Sequence, residues 1–472
     1  MTAASRIEHD SLGDLEVPAG AYYGASTMRA KLNFPISDLR LPRSFVRAIG
    51  LIKQQSAAVN RDLGLLDAAL ADAIDRAAQE VIDGTLDGQF VVDVFQTGSG
   101  TSTNMNANEV IGNRAIELLG GTLGSRAPVH PNDHVNLGQS SNDVIPTAIQ
   151  VAAAEILHDD LLSALETLER SLRAKSDEFW PVVKTGRTHL QDATPIRLGQ
   201  EFLGYAGQVE RGRSHCSEAL TALQELPLGG TAVGTGVGTH PEFPGRVIGR
   251  LASITGIAFR ETDNHFAGQS ALDAVVFTSS VLKGVAITLF KIANDIRLLG
   301  CGPRAGIAEI GIPAVQPGSS IMPGKVNPVI AESVTMVAAQ VVGYDAAVAF
   351  CGAAGSLLEL NVMMPVAAYD VLQSGALLAH SARNLAARCV DGISATDNGP
   401  RLVEQGLMLG TALAPRIGYD AAAAIAKEAY ASGRTVREVA RERTQLPEAE
   451  LTQLLDPEAM THPGRETGGA GG

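Results

Sequence analysis

Hydroxyl, amide and cationic side chains are concentrated in four short segments of the sequence. The segments are QTGSGTSTNMNANE at residues 96–109, HPNDHVNLGQSSND at 130–143, TGRTHLQDATP at 185–195 and GSSIMPGKVNP at 318–328. They supply neutral hydrogen-bond donors and one or two cations, and their glycines allow backbone N–H groups to approach a ligand closely. This combination predicts a site for a small anion with two carboxylates, with candidate residues Thr101, Ser140, Ser141, Asn142, Thr188, His189, Lys325 and Asn327.

Motifs for several other chemistries are missing from these segments. None carries a GxGxxG after a strand, a Walker lysine, an HExxH or a pair of carboxylates at metal spacing. The acids Glu109, Asp133, Asp143 and Asp192 stand singly among amides and hydroxyls. Hard cations need several oxygens that converge, so no metal site is predicted.

Each segment taken alone also fits an ordinary structural role. Ser140 precedes a helical pattern and is typical of a helix N-cap. His189 fits a structural histidine, Lys325 a solvated surface lysine, and the pair Ser319 and Ser320 a polar turn. The four segments together favour the anion site, and the structural alternatives stay open for each residue.

Long helices must position these segments. Leucines at 157, 161, 165, 168 and 172 form one stripe on a helix. Further helical stretches cover residues 197–226, 270–300, 329–355 and 360–392, the last interrupted by Pro365. Helices of about 25 to 30 residues exceed the usual ~11–12. We therefore expect a bundle whose apolar faces extend beyond one chain's core, which favours oligomerisation.

The fold class predicted from these patterns is all-α, in a chain of three domains. Aromatic residues make up only 4% of the chain, so alanine, leucine and valine must fill the core, as suits close-packed helices. Residues 1–138 are predicted to form a mainly helical N-terminal domain and 139–395 the central bundle of five long helices. Residues 396–472 are predicted to form a small helical domain, with helices near 419–432 and 434–443 and a frayed tail.

Charge and composition exclude several classes of partner. The formal net charge is −14, which disfavours binding to nucleic acid or to anionic lipid. The four cysteines form no metal spacing and suit a reducing compartment. The first residues contain no apolar run, so no secretory signal is expected. No stretch reaches 18 apolar residues without a charge, so we expect a cytoplasmic protein without a membrane span.

Three of the four segments closely resemble signature segments of the aspartase/fumarase superfamily. GSSIMPGKVNP matches the superfamily's signature loop, TGRTHLQDATP and QTGSGTSTNMNANE match two other active-site segments, and the resemblance extends from about residue 5 to the tail. It implies reversible elimination from a succinyl skeleton with release of fumarate, without a metal or an organic cofactor. It also implies a homotetramer with a twenty-helix core, in which each active site is built from three subunits.

The resemblance also implies roles for individual residues. Ser319 would be the general base, and His189 would pair with Glu332. One carboxylate would be held by Thr188, Lys325 and Asn327, and Ser320 would cradle the developing charge. The other carboxylate and the leaving group would be held by Thr101, Ser140, Ser141 and Asn142. A secondary anion site would contain His130, Asn132 and Asp133.

The same resemblance leaves two leaving groups open, water and ammonia. QTGSGTS, QSSND, HPND and LMLGTALAPRIGYD resemble fumarases, whereas AYYGASTMRA leans towards aspartases. We expect reversible hydration of fumarate to L-malate, by anti addition and elimination through an aci-carboxylate carbanion, as in the tricarboxylic acid cycle. The alternative is an aspartate ammonia-lyase. A non-catalytic structural or binding member of the superfamily is a further alternative. The presence of Ser319, His189 and Lys325 argues against it, because an inactive member would be expected to have lost one of them.

Overall fold

The computed structural model describes residues 4–463. The first part of the chain contains β1 (Ser5–Asp10), β2 (Gly13–Pro18), α1 (Ala25–Asn33), α2 (Arg43–Asp62), α3 (Ala68–Ile82) and α4 (Thr101–Leu118). The middle contains α5 (Ser141–Glu155), α6 (Leu162–Glu178), β3 (Val183–Thr188), β4 (Gln191–Arg197), α7 (Leu198–Leu223), β5 (Glu225–Leu226), α8 (Phe243–Thr255), β6 (Arg260–Glu261), α9 (His265–Ser270), α10 (Asp273–Leu299), β7 (Ile310–Gly311), α11 (Val329–Gly355), β8 (Ser356–Leu357), β9 (Leu360–Asn361) and α12 (Met364–Arg388). The last part contains β10 (Ser394–Ala395), α13 (Asn398–Val403), α14 (Ala414–Ile417), α15 (Tyr419–Ser432), α16 (Val436–Arg443) and α17 (Glu448–Leu454).

All five predicted long helical stretches are present. The leucine stripe lies on α6 and on a π-helical stretch, Ile156–Leu161, that joins α5 to α6. The prediction that Pro365 interrupts the fifth helix is wrong. Proline is tolerated in the first helical turn, where its missing N–H has no intrahelical partner, and α12 begins at Met364. The residues just before it, Leu360–Asn361, pair with Ser356–Leu357 as a short hairpin.

The all-α fold class is confirmed, and the strands of residues 4–463 are short additions to the helices. They form five two-stranded sheets: β1–β2, β3–β4, β5–β6, β7–β10 and β8–β9. The β5–β6 pair is parallel and the other four pairs are antiparallel. The hairpin of β3 and β4 matters for function because it contains the TGRTHLQDATP segment.

The chain divides into two compact units. Unit 1 contains residues 1–163, 212–287 and 337–380, and unit 2 contains residues 164–211, 288–336 and 381–472. Each boundary falls inside one of the long helical stretches. The division into domains at residues 138 and 395 stays a prediction.

Each unit has its own apolar core. In unit 1, α2, α3 and α4 contribute buried residues such as Ile74, Val81 and Ile111 to one cluster. In unit 2, α15, α16 and α17 pack around Ile425, Val439 and Leu451. These helices place apolar side chains on one face, as a helix must when one side meets the core.

Two helices, α10 and α11, are long and apolar enough to span a membrane by length and composition alone. Their most apolar windows have mean hydropathies of 1.6 and 1.5, and 44% and 33% of the window residues are buried. Core helices of bundles meet the same criterion, so the match is weak evidence for a membrane span. Within unit 1 the two helices are tied by polar contacts, because Asp345 accepts hydrogen bonds from Ser279 and Lys283.

Candidate active site

Two helix N-termini meet in unit 1 and bring hydroxyl groups together. Helix α4 begins at Thr101 and α5 begins at Ser141. The Thr101 Oγ1 atom lies 2.8 Å from Ser141 Oγ and 2.8 Å from Ser99 Oγ. Helix N-termini favour anions through their free N–H groups and their dipole. This group of hydroxyls is therefore suited to a carboxylate.

Ser140 is the N-cap of α5, as its position before the helical pattern indicated. Its Oγ accepts a hydrogen bond from the Asn142 N–H at 3.3 Å, and Asp143 Oδ1 accepts the Ser140 N–H at 2.9 Å. The bond from the Ser140 N–H to Asp143, together with a bond from the Asp143 N–H to the Ser140 side chain, forms a capping box. The Asn142 side chain donates from Nδ2 to the Ala232 carbonyl at 2.7 Å. The QSSND segment is thus fixed by its own helix and by a second segment of unit 1.

That second segment was missed by the sequence analysis. It runs over residues 227–239, PLGGTAVGTGVGT. Its Gly229 and Thr231 N–H groups donate to Asp143 Oδ2 at 2.9 and 3.0 Å. Burial raises the pKa of Asp143, and the backbone N–H donors oppose that rise. The density of glycines was the available signal, since glycine allows backbone N–H groups to face a neighbour closely.

One of these glycines is required by its surroundings. A Cβ at Gly230 would lie 1.9 Å from Gln269 Oε1. Gln269 is fully buried on α9 and donates from Nε2 to the Thr231 carbonyl at 2.6 Å. Thr231 itself has a φ of 56°, which non-glycine residues adopt only when neighbouring contacts hold them. The glycine-rich segment is therefore packed tightly beside the QSSND segment.

The predicted secondary anion site forms a compact turn in unit 1. His130 caps a π-helical turn, Pro131–Val135, by accepting the Asn132 and Asp133 N–H groups at Nδ1, at 3.3 and 3.2 Å. The neutral tautomer with its proton on Nε2 fits these two bonds, and Nδ1 also lies 3.2 Å from Asp133 Oδ2. The Asp133 side chain is exposed. These contacts explain the local fold, and anion binding at this turn stays a prediction.

In unit 2, Thr188 and His189 lie at the tip of the β3–β4 hairpin. Thr188 pairs with Gln191, and the two turn residues, His189 and Leu190, have φ angles of 57° and 58°. Positive φ at both positions is the geometry of a type I′ hairpin turn. All three residues from Thr188 to Leu190 are exposed. The hairpin therefore presents the imidazole at the surface of unit 2.

Buried charges support the base of this hairpin. The Glu309 carboxylate, 1% exposed, accepts from Arg187 Nη1 at 3.0 Å and from Nη2 at 2.8 Å. The Lys184 ammonium is equally buried and lies 3.1 Å from Glu309 and 2.8 Å from Glu201. Burial raises the pKa of Glu201, and the Lys184 charge opposes the rise. Paired charges of this kind hold a buried backbone in one arrangement, because breaking the pairing leaves a charge without compensation.

The GSSIMPGKVNP segment of unit 2 is a loop closed at its base. The Gly318 N–H donates to the Lys325 carbonyl at 2.9 Å, and Asn327 Nδ2 donates to the Gly318 carbonyl at 2.6 Å. The loop exposes Ser320 and Lys325. Ser319 Oγ accepts the Ile321 and Met322 N–H groups at 3.2 and 3.0 Å. Two donated hydrogen bonds stabilise negative charge on that oxygen, which suits a serine that acts as a base.

The predicted site residues therefore fall into three groups. Unit 1 brings Thr101 and residues 140–142 together, whereas unit 2 carries the hairpin tip and the loop at 318–328. Among residues 4–463, the side chains of His189 and Glu332 form no hydrogen bond or ion pair with each other or with another residue. Their pairing stays a prediction. The described residues contain no group of three or more histidine, cysteine or acidic side chains that could hold a metal ion.

Comparisons with known proteins cover almost the whole chain. The family described as Lyase matches residues 13–343, and the family described as Fumarase C C-terminus matches residues 409–462. A fumarate hydratase class II of Halobacterium salinarum is 55% identical over 98% of both chains. A fumarate hydratase class II of Bradyrhizobium diazoefficiens is 52% identical over 98% of both.

Solved structures agree with the sequence comparisons. A class II fumarase from Schistosoma mansoni superposes with a TM-score of 0.94 at 38% identity, over 97% of this chain and 99% of that one. A fumarate lyase:delta crystallin from Brucella melitensis superposes with a TM-score of 0.93 at 46% identity, over 98% of this chain and 100% of that one.

Proposed function

The chain belongs to the lyase family that includes the class II fumarate hydratases, and on that premise we propose that it catalyses the reversible hydration of fumarate to L-malate. The observation that carries this proposal is the 55% identity to a class II fumarate hydratase over 98% of both chains. The loop geometry around Ser319 and the paired helix N-termini supply groups that this reaction needs. The substrate is a small dicarboxylate.

Elimination of water from malate begins with removal of a weakly acidic C–H proton beside a carboxylate. Ser319 Oγ is the base in this proposal, and its two N–H donors stabilise the charge it carries before it accepts the proton. The electron pair left on carbon moves into the neighbouring carboxylate and forms an aci-carboxylate. Stabilising that extra charge is usually the largest catalytic contribution.

Positive charge and polar donors from unit 2 hold this carboxylate. Lys325, which is exposed on the loop, supplies the cation. Asn327 and Thr188 supply neutral donors, and Ser320 with the backbone N–H groups of the loop cradles the developing charge. Water exclusion when substrate is bound would strengthen each of these interactions.

The other carboxylate and the leaving hydroxyl face the helix N-termini of unit 1. Thr101, Ser140, Ser141 and Asn142 provide hydroxyl and amide groups there. Hydroxide must leave with a proton to become water. His189, paired with Glu332, is the proposed group that orients and transfers this proton, because an imidazole can exchange a proton near neutral pH.

The site is completed between copies of the chain in this proposal. A helix of about 28 residues is about 42 Å long, so its two ends serve different sites. Helices α10 and α11 also expose large apolar side chains, including Phe290, Met336 and Phe350. A homotetramer that buries these faces in a twenty-helix core would bring loops of three subunits together, and closed symmetry is common among oligomers. We place this enzyme in the cytoplasm and in the tricarboxylic acid cycle.

Residues 130–133 would form a secondary anion site. The supporting observation is that the neutral tautomer of His130 with Nδ1 as the acceptor fits the turn and leaves Nε2–H as a donor. Asn132 can add its amide. This site is separate in sequence from the proposed catalytic groups.

One side-by-side assay tests the proposed reaction. L-malate, L-aspartate and argininosuccinate are each added to the protein, and fumarate is followed by its ultraviolet absorbance. We expect fumarate from L-malate and none from the other two. Faster turnover of L-aspartate under equal conditions would replace the hydratase with an ammonia-lyase. No change with any substrate, in either direction and with or without ammonia, would favour a non-catalytic member of the family.

A further inference from the structure

A lysine is fully buried in unit 1 without a carboxylate partner. Lys53 of α2 is 0% exposed, and its Nζ donates to Asn136 Oδ1 at 2.8 Å and to Gln139 Oε1 at 3.0 Å. Among residues 4–463, no acidic side chain forms an ion pair with it. Burying an ammonium without an ion-pair partner costs free energy. A lysine at this position therefore suggests a role in holding its two amide partners.

The two amides belong to the turn that precedes the QSSND hydroxyls. Asn136 Oδ1 also accepts hydrogen bonds from Asn104 Nδ2 at 3.1 Å and Asn108 Nδ2 at 3.2 Å, both on α4. Asn136 Nδ2 in turn donates to the Gln139 carbonyl at 3.1 Å. Side chains of α2 and α4 therefore hold residues 136–139 in place. Of these side chains, that of Lys53 contacts both Asn136 and Gln139.

Helix α4 connects this cluster directly to the candidate site. Thr101, Asn104 and Asn108 are spaced three and four residues apart, which places them on one face of the helix. Thr101, at the N-terminal end of that face, forms a hydrogen bond with Ser141. The Asn104 and Asn108 amides, further along the helix, donate to Asn136 in the turn that precedes Ser140.

A buried carboxylate, that of Asp143, follows the same segment in the sequence. Asp143 fixes the Ser140 N–H and also accepts the Gly229 and Thr231 N–H groups. Burial lowers the pKa of Lys53 to about 7, and the Asp143 charge opposes that decrease. In the sequence, residues 140–142 are thus flanked by Gln139, which binds Lys53, and by Asp143, which holds the Ser140 N–H.

We propose that Lys53 is a positioning residue for the substrate-binding segment at residues 140–142, acting through the side chains of Asn136 and Gln139. The ammonium suits this role because one group donates to two acceptors and keeps the turn closed against α2. This inference rests on the proposed function, since Ser140, Ser141 and Asn142 are proposed substrate contacts. It assigns Lys53 no contact with the substrate.

The test replaces Lys53 by methionine, which is similar in length and has no N–H donor. We expect kcat/KM for L-malate to fall by roughly ten- to hundredfold, the scale that follows misplacement of site groups by about 1 Å. The loss should be mainly a rise in KM, because the segment holds substrate in the ground state and the transition state alike.

The matched control is Gln54→Met on the same helix. Gln54 is also buried, and the substitution removes two hydrogen bonds that do not involve the turn: from Gln54 Nε2 to Gln79 Oε1 and from Gln55 Nε2 to Gln54 Oε1, each at 2.9 Å. Its kcat/KM should equal that of the wild type even if its melting temperature falls. Equal losses of kcat/KM in the Lys53 and Gln54 variants would overturn the proposal, because they would trace the effect to general stability.

A second variant keeps the test decisive if Lys53→Met does not fold. Gln139→Leu removes one of the two acceptors of Lys53, together with the bonds from Gln139 Nε2 to the Val135 and Leu137 carbonyls, and should also raise KM. In the double variant, KM should rise by less than the product of the two single increases, because both substitutions break the same hydrogen bond between Lys53 and Gln139. Normal KM in folded Gln139→Leu, or effects that multiply fully, would contradict the proposal. Wild-type turnover of L-malate, measured alongside, tests the proposed function separately.

Discussion

Removal of the Glu309 charge should weaken unit 2 and displace the hairpin that carries Thr188 and His189. Glu309→Gln keeps the size of the side chain and removes its negative charge. The native carboxylate accepts two hydrogen bonds from Arg187 and forms an ion pair with Lys184, whose Nζ lies 3.1 Å from Glu309 Oε2. After the substitution, Lys184 keeps its ion pair with Glu201, whereas Arg187 loses its salt bridge to a carboxylate.

The size of the effect follows from burial. Lys184 and Glu309 have side chains that are each 1% exposed, so solvent cannot compensate the change. Breaking a buried ion pair by removing one partner destabilises a protein by about 3–5 kcal/mol. Because Arg187 directly precedes Thr188, we also expect kcat/KM for L-malate to fall by about tenfold or more.

Trp180, the single tryptophan of the chain, provides the assay. It belongs to unit 2 and lies just before β3. Its fluorescence during urea unfolding, at one fixed protein concentration, reports the stability of the region around the hairpin. The matched control is Glu210→Gln on α7 in the same unit, which breaks the pair between Arg173 and Glu210, whose side chains are 42% and 54% exposed. Exposed pairs contribute little, so this variant should unfold like the wild type.

If Glu309→Gln unfolds at the same urea concentration as Glu210→Gln and keeps wild-type kcat/KM, the buried charges do not support the hairpin.

Three further predictions concern the site and the interior. Ser319→Ala should lower kcat by roughly 10²–10⁴ with little change in dicarboxylate affinity, as expected for loss of a general base, and steady-state kinetics with a binding titration measures both. Gly230→Ala should lower the melting temperature, because its Cβ would overlap Gln269 Oε1, whereas Gly249→Ala on α8 has open space and should not. Burial raises the pKa of Asp370 to about 7 from 3.8, so the wild type loses stability as pH rises between those values. Asp370→Asn should therefore gain stability relative to the wild type between about pH 4 and pH 7, in urea unfolding, with no further gain above that range.

Helices and helix caps were the features most accessible from sequence. The leucine spacing predicted the helix around residue 165, and Ser140 was recognised as a potential N-cap because a polar residue preceded an apolar periodic run. Both depend on residues close together in the chain. Pro365 was misjudged for the same local reason, since proline breaks a helix interior yet fits its first turn.

The hairpin at His189 could not be predicted from its residues. Type I′ turns favour asparagine and glycine, and this turn contains His189 and Leu190 instead. The contacts beneath the turn come from Glu309, far away in sequence. Distant partners of this kind impose a backbone that local preference disfavours, and such positions occur at functional sites.

The buried support of the QSSND segment was hidden for a related reason. Lys53 resembles an ordinary lysine of a surface helix in sequence, and only the fold shows that it is buried beside Asn136. The glycine-rich segment at 227–239 carried a visible signal in its composition. Its connection to Asp143 nevertheless depends on contacts across more than 80 residues of sequence.

The central claim is that separate copies of the chain complete one active site, with Ser319 and His189 supplied by different subunits. In unit 2 of one chain, the loop at 318–328 and the hairpin tip share no hydrogen bond or ion pair among the described residues. Two inactive variants, Ser319→Ala and His189→Asn, test the claim when they are unfolded together and refolded as a mixture. Asparagine is chosen at position 189 because it tolerates the positive φ of 57°.

We expect malate dehydration to return in the mixture to roughly a quarter of the wild-type rate, because each residue is intact in half of the chains and sites form across a closed symmetric assembly. Each variant refolded alone should stay inactive. A tagged chain must recover its untagged partner, which shows that mixed oligomers have formed. If mixed oligomers form and the mixture stays as inactive as the separate variants, Ser319 and His189 serve the site from one chain, and the shared-site account is wrong.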